Sequence, residues 1–201
     1  MNLNTIFTLD ELFKLWDYEQ KNESLKSCKK TFPYKKDEPP LGSEFKESFC
    51  PDGYLSDSFN GVLIICRESN VSGNKPMGEF NNVFAMADPK IRTTNYDNFI
   101  KKALNFLAKN EGFNGTTEKD QCAYMNLNKR GGYGKTDMSR LKNYVMAYEV
   151  FLKKEIELLN PDFVVCGGTY DCVKDLLPNN VIVLDCWHPV RGFHHKSTYK
   201  R

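Results

Sequence analysis

"FLKKEIELLNPDFVVCGGTYDCVKDLL", residues 151 to 177, reads as a helix, a strand and a second helix in immediate succession. Phe151, Leu152, Ile156 and Leu159 recur at helical spacing, and the pattern stops at Asn160-Pro161, where proline cannot continue a helix. "DFVVCGG" is then a short continuous apolar run ending in glycine, as expected of a strand buried on both faces. "TYDCVKDLL" resumes a helical pattern. A buried strand set between helices calls for crossover connections, and therefore for a parallel sheet with helices on both faces.

The same alternation extends outward. "GVLIICRES" (61–69), "QCAYMNLN" (121–128) and "NVIVLDCW" (180–187) supply three further strands. "NYDNFIKKALNFLAKNEGF" (95–113) places Phe99, Ile100, Ala103, Phe106 and Leu107 on one helical face and stops near Gly112. "TDMSRLKNYVMAYEVFLKKEIELLNP" (136–161) reads as one long helix capped by Thr136 or Asp137. Near the start, Thr8 to Glu11 forms a capping box ahead of Leu9, Leu12, Phe13 and Trp16. The expected fold is a three-layer α/β/α sandwich around a central, mainly parallel four-stranded sheet. A single domain spans 1–201: an N-terminal helix and long loop excursion over 1–60, an α/β core over 61–192, and a basic tail over 193–201 that is expected to fray.

A chain of 201 residues with 40% apolar and 27% charged residues can bury a full core. Its formal charge of +2 announces no general affinity for polyanions, so a nucleic-acid partner needs a local basic patch. Segment 24–57, with Lys26, Lys29, Lys30, Lys35 and Lys36, is a basic surface excursion and a candidate phosphate contact. The acidic Asp10 and Glu11 argue against a signal peptide, and no apolar run reaches membrane-spanning length. Seven scattered cysteines form no CxxC pair, so they read as reduced core thiols of an intracellular, cytoplasmic protein without an iron–sulfur cluster. Neither a metal nor an organic cofactor is expected, and the chain is expected to act as a monomer.

"NLNKRGGYGKT" (126–136) ends like a phosphate-binding loop, but its first glycine would fall at position 129, which is Lys129. In a parallel sheet, ligands bind beyond the carboxyl ends of the strands. Glu68-Ser69-Asn70, Asn126-Leu127-Asn128 with its glycines, Gly167-Gly168-Thr169 and Trp187-His188-Pro189 are therefore expected to gather on one rim. The glycine loop is then the mouth of a strand-end pocket.

At these rim residues the sequence resembles the uracil-DNA glycosylase superfamily. The resemblance covers roughly residues 60 to 192. Residues 151–177 resemble its late helix–strand–helix unit, "AYMNLNKR" the motif whose asparagine reads the flipped base, "WHPVRG" the final His-Pro motif, and "ICRESN" the first motif. What it implies is hydrolysis of the N-glycosidic bond of uracil or a related deaminated or damaged base in DNA. Arg67 and Asn70 stand where those enzymes usually carry Gly and Pro, which keeps open a base-, nucleotide- or DNA-binding module without catalysis.

Such an enzyme extrudes its base from the stack and holds it in a fitted pocket. Asn126 or Asn128 can match part of the acceptor–donor–acceptor edge of uracil; strand alternation points both the same way and does not choose between them. His188 can donate to the negative charge that develops on the base, and Glu68 can position water or face the cationic sugar. The resemblance implies an aromatic platform at Phe80, with Phe84 as the alternative. Arg130, Lys135 and Arg191 are the expected DNA contacts, and Phe193 a candidate wedge.

Overall fold

The computed structural model describes residues 3–22, 49, 52, 58–70, 94–118, 121–132 and 136–201. The elements are helix α1 (Leu9–Asn22), strand β1 (Val62–Asn70), helix α2 (Thr94–Asn110), strand β2 (Ala123–Gly132), helices α3 (Met138–Ala147) and α4 (Glu149–Leu159), strand β3 (Phe163–Gly167), helix α5 (Tyr170–Val173), and strands β4 (Ile182–Cys186) and β5 (His195–Lys200). The protein is thus α/β, with a five-stranded sheet in the order β2-β1-β3-β4-β5. β1 pairs parallel with β3, and β3 with β4, while β5 runs antiparallel to β4. The order reverses after β2: the chain passes back across β1 and resumes on its other side with β3.

The chain divides into two compact units. One comprises residues 1–51, 67–81 and 126–158; the other comprises 52–66, 82–125 and 159–201, so β1 and β2 each contribute to both.

In the second unit, Val62, Ile64, Cys66, Val165, Leu184 and Cys186 present one sheet face to Phe99, Ile100, Ala103, Leu104 and Leu107 of α2. Leu63, Ile65, Val164, Cys166 and Val183 alternate with them and are equally buried, so both faces are covered, as a parallel sheet requires. Burial pushes the Cys186 thiol up to about 12 and the Cys166 thiol in the same direction, so both remain protonated core groups.

The fifth strand corrects the expected four-stranded sheet and fraying tail. β5 continues the β4 ladder from Ile182↔Lys200 to Cys186↔His195, with a bulge opposite Asp185 and Cys186. Its side chains hold it. Tyr199 stacks on Tyr170 with centroids 4.3 Å apart and planes within 4°, and His195 lies 4.4 Å from the Phe106 ring. Lys196 reaches Asp185 at 3.3 Å.

In the first unit, the capping box is formed as expected. Thr8 Oγ1 accepts from the Glu11 N–H at 3.2 Å, and Glu11 Oε2 accepts from the Thr8 and Phe7 N–H groups at 3.1 and 3.0 Å. The Phe7 N–H, then Thr8, hold the Glu11 carboxyl below its ordinary range. A lowered folded-state value means that this contribution is present above the ordinary carboxylate range and fades as pH falls through the lowered one. Thr8→Ala is expected to destabilise α1 by about 1 kcal/mol, read as a lower urea midpoint at neutral pH, with the difference from wild type shrinking in acid.

Buried Trp16 of α1 stacks on Phe151 at 5.2 Å and lies 5.9 Å from Tyr148, and the Tyr144 hydroxyl donates to Gln20 at 2.9 Å. The single helix expected over 136–161 is two. Asp137 caps α3 by accepting from the Ser139 and Arg140 N–H groups. Tyr148, at φ −113 and ψ 23, then ends it. The Tyr148 carbonyl accepts from Phe151 and Leu152, which starts α4. α4 ends at Asn160, which adopts a left-handed φ of 42 before Pro161.

Candidate functional site

The best-defined part of the rim lies in the second unit, around the ends of β3 and β4. Thr169 is buried, and its Oγ1 donates to the Ile65 carbonyl of β1 at 3.0 Å. The Gly168 N–H donates to the Cys186 carbonyl of β4 at 2.8 Å. These two bonds fasten the turn after β3 to both neighbouring strands, at the point where the strand order reverses. Such switch points are where open α/β sheets hold ligands.

The His188-Pro189 turn is seated here. A Cβ added to Gly167 would meet Pro189 Cδ at 3.0 Å and the Ile65 carbonyl at 3.4 Å, so the absence of a side chain lets the proline ring settle onto the strand end. The turn then closes on itself. The Arg191 N–H donates to the His188 carbonyl at 2.9 Å, the Gly192 N–H to the Pro189 carbonyl at 2.8 Å, and the Trp187 N–H to the His194 carbonyl at 2.9 Å. Gly192 takes a φ of +77, a left-handed conformation that glycine adopts without strain. His188 is half-buried, and Tyr96 of α2 meets its ring edge-on, with centroids 6.1 Å apart and planes at 88°. Gly167→Ala is expected to displace Pro189 by a few tenths of an ångström. An overpacking cost of about 1–3 kcal/mol should then appear as a lower urea midpoint.

No protein-family model, curated protein or solved structure matches the chain. The chemistry of the site therefore rests on its own residues.

In the first unit, β2 continues as a strand through Gly132. Asn126 and Asn128 thus lie within the strand, and the glycines expected to form a loop begin as its last residues. Asn126 is buried and Asn128 half-buried, while Leu127 and Lys129 alternate with them and are wholly buried. Lys129 Nζ lies 2.9 Å from Glu155 Oε1 and 2.8 Å from Oε2, an ion pair closed off from solvent. The ammonium also stands 5.3 Å from the Trp16 ring centroid and 5.7 Å from that of Phe13. This pair was not anticipated from the sequence, and an extended Lys129 in a strand is the opposite of a loop wrapping phosphate.

Glu68 falls inside β1, as the strand expected over 61–69 has it; β1 runs on to Asn70, so the strand end where the rim was expected lies beyond Glu68. The side chains of Glu68 and Arg130 lie outside the described residues, as do Phe80, Phe84, Gly134 and Lys135 in full. Arg191 is exposed in the turn after β4, its guanidinium carbon 5.4 Å from the Trp187 ring centroid. Phe193 is not a free wedge. It packs between Phe99 and Phe106, with centroids 5.9 and 6.1 Å away, as part of the α2 core.

Among the described residues, no cluster of three or more His, Cys, Asp or Glu stands close enough to hold a metal ion. Likewise, no described helix is long and apolar enough to cross a membrane.

Proposed function

We propose that the chain is a DNA N-glycosylase of the uracil-DNA glycosylase kind, on a three-layer α/β/α sandwich, that hydrolyses the bond between uracil or a related damaged base and deoxyribose. The observation that carries this reading is the seat of His188. Pro189 rests on side-chain-free Gly167 at the carboxyl end of β3, and the imidazole is held half-buried beside Tyr96. A neutral or protonated imidazole fixed at a switch point can donate to an oxygen that gains negative charge as a base departs.

In this reading Asn126 or Asn128 recognises the base edge, Glu68 positions water, and Phe80 supplies the stacking surface. Arg130, Lys135 and Arg191 contact the strand. Departure of an anionic base leaves an oxocarbenium-like sugar for water to capture, a reaction that calls for charge placement and needs neither metal nor organic cofactor. The chain is proposed to act as a monomer on DNA.

A second reading, a base- or DNA-binding module without catalysis, is favoured by one observation. β1 stays in strand conformation through Asn70, so Arg67 and Asn70, which stand where the resembled enzymes usually carry Gly and Pro, belong to an extended strand. One assay separates the two. A labelled oligonucleotide carrying a single uracil, incubated with the protein and treated with alkali, breaks at the uracil if the first reading holds. Retention of that strand over its thymine twin, with no breakage, supports the second; neither breakage nor retention overturns both.

A further inference from the structure

We propose that Trp187 is a stacking platform for an unpaired base, so that the strand this chain engages is single-stranded DNA. The inference rests on the glycosylase reading for its choice of DNA and adds to it the state of the substrate strand.

Trp187 is 43% exposed, whereas the chain's other tryptophan, Trp16, is fully buried. A cation and an aromatic ring lie against Trp187. The Arg191 guanidinium carbon lies 5.4 Å from its ring centroid, and the His194 ring lies 5.4 Å away, tilted by 47°. An arginine set over an indole face both gains from the ring quadrupole and keeps its N–H fork available for phosphate. Of the cations in residues 187–201, Arg191 lies against the ring, while Lys200 pairs with Glu111 at 3.3 Å and Arg201 donates to the Leu177 carbonyl at the far end of β5. Asp185, just upstream, is held by Lys196.

The platform is also ordered in advance. Three backbone hydrogen bonds close the turn, from Trp187 to His194, Arg191 to His188 and Gly192 to Pro189. A turn whose backbone is already closed gives up little further backbone freedom when a base settles on its side chain. Phosphate-binding cations interleaved with an exposed aromatic face are the pattern of single-strand recognition, in which every base offers a π-face regardless of its identity. In a duplex those faces are already stacked on one another. Trp187 follows β4 directly and precedes His188 in the chain, which makes the proposed platform the sequence neighbour of the proposed catalytic residue.

The two tryptophans make the test direct. The full-length chain is titrated, at low and at moderate salt, with an oligothymidylate of about 10 nucleotides, within the span a single-strand-binding fold covers. Quenching of the exposed indole is expected, weakening as salt rises because phosphate contacts release counterions. Trp187→Phe should keep the buried Trp16 emission and lose the quenching. Trp187→Ala should weaken binding of a labelled strand about 5- to 150-fold, the equivalent of one stacked base. A base-free deoxyribose-phosphate strand of the same length should bind without quenching.

Absence of quenching by oligothymidylate, or equal quenching by the base-free strand, overturns the platform. Because thymine is not the proposed substrate, the two readings fail separately. Uracil release without quenching removes the platform and keeps the glycosylase. Quenching without uracil release keeps the platform and removes the catalytic reading.

Discussion

For the proposed glycosylase, His188→Ala is expected to slow release of uracil from a single-stranded oligonucleotide about 100- to 1000-fold, the usual consequence of deleting one donor aimed at a developing oxyanion. The loss should fall on the single-turnover rate of bond breakage. The ground-state base carries little extra charge on its oxygen, so strand binding should change far less. A wild-type urea midpoint is expected for the variant, since Pro189, Gly167 and the backbone bonds of the turn remain when the half-buried ring is removed. His188→Gln restores an N–H donor of comparable reach and should recover part of the rate. A merely structural role predicts the reverse order of effects: a lowered midpoint, and no rescue by glutamine. A His188→Ala protein that releases uracil as fast as the wild type removes His188 from the chemistry.

Much of the frame behind that prediction was legible in residue order. Apolar runs bounded by Pro or Gly announced β1, β3 and β4, because strands buried on both faces have no room for polar alternation. The Thr8–Glu11 box announced the start of α1 through its short-range chemistry. What escaped was set by tertiary partners. β5, with its Lys, Ser and Thr, has the composition of a solvated tail, and becomes a strand because the β4 edge, Tyr170 and Asp185 receive it. The break at Tyr148 leaves no mark in the pattern, since the Tyr148 N–H still bonds the Tyr144 carbonyl and the apolar stripe continues into Phe151 and Leu152. At the site, the His188-Pro189 motif could be read from the chain, whereas the reason it sits where it does, Gly167 beneath Pro189, required the packing of two strand ends. Trp187 could be placed on the rim from its position after the last apolar run, whereas the degree of its exposure is set by how the turn folds.

Lys129→Met is expected to produce the largest loss of stability, about 3–5 kcal/mol, the cost of stranding one charge of a buried pair. Both side chains are fully buried, and both carboxylate oxygens of Glu155 lie within 2.9 Å of Lys129 Nζ. Without the ammonium, Glu155 would have to remain ionised in an apolar setting or take up a proton; either is unfavourable at neutral pH. The pair joins β2 to α4, while Trp16 and Phe13 bring α1 against the same ammonium. Removing it therefore loosens three elements of the first unit together. The sequence held a partial sign of this. Glu155 stands four residues after Phe151, three after Leu152 and four before Leu159, inside the apolar stripe and not on the charged face beside it. Lys129 shares a strand face with buried Leu127, yet a lysine followed by Arg130 and two glycines reads as a strand end reaching water. The decisive comparison is the double variant Lys129→Met, Glu155→Leu. Buried ion pairs replaced whole by apolar side chains of similar volume are often neutral or stabilising, so most of the single-variant loss should return in the urea midpoint. A double variant as unstable as Lys129→Met alone would mean that the lysine acts chiefly through its contacts with Trp16 and Phe13, and not through Glu155. If the double variant is restored in stability and still releases uracil, the pair serves only the fold of the first unit. If stability returns without activity, the charge pair also sets the position of Asn126 and Asn128 along the strand they share with Lys129.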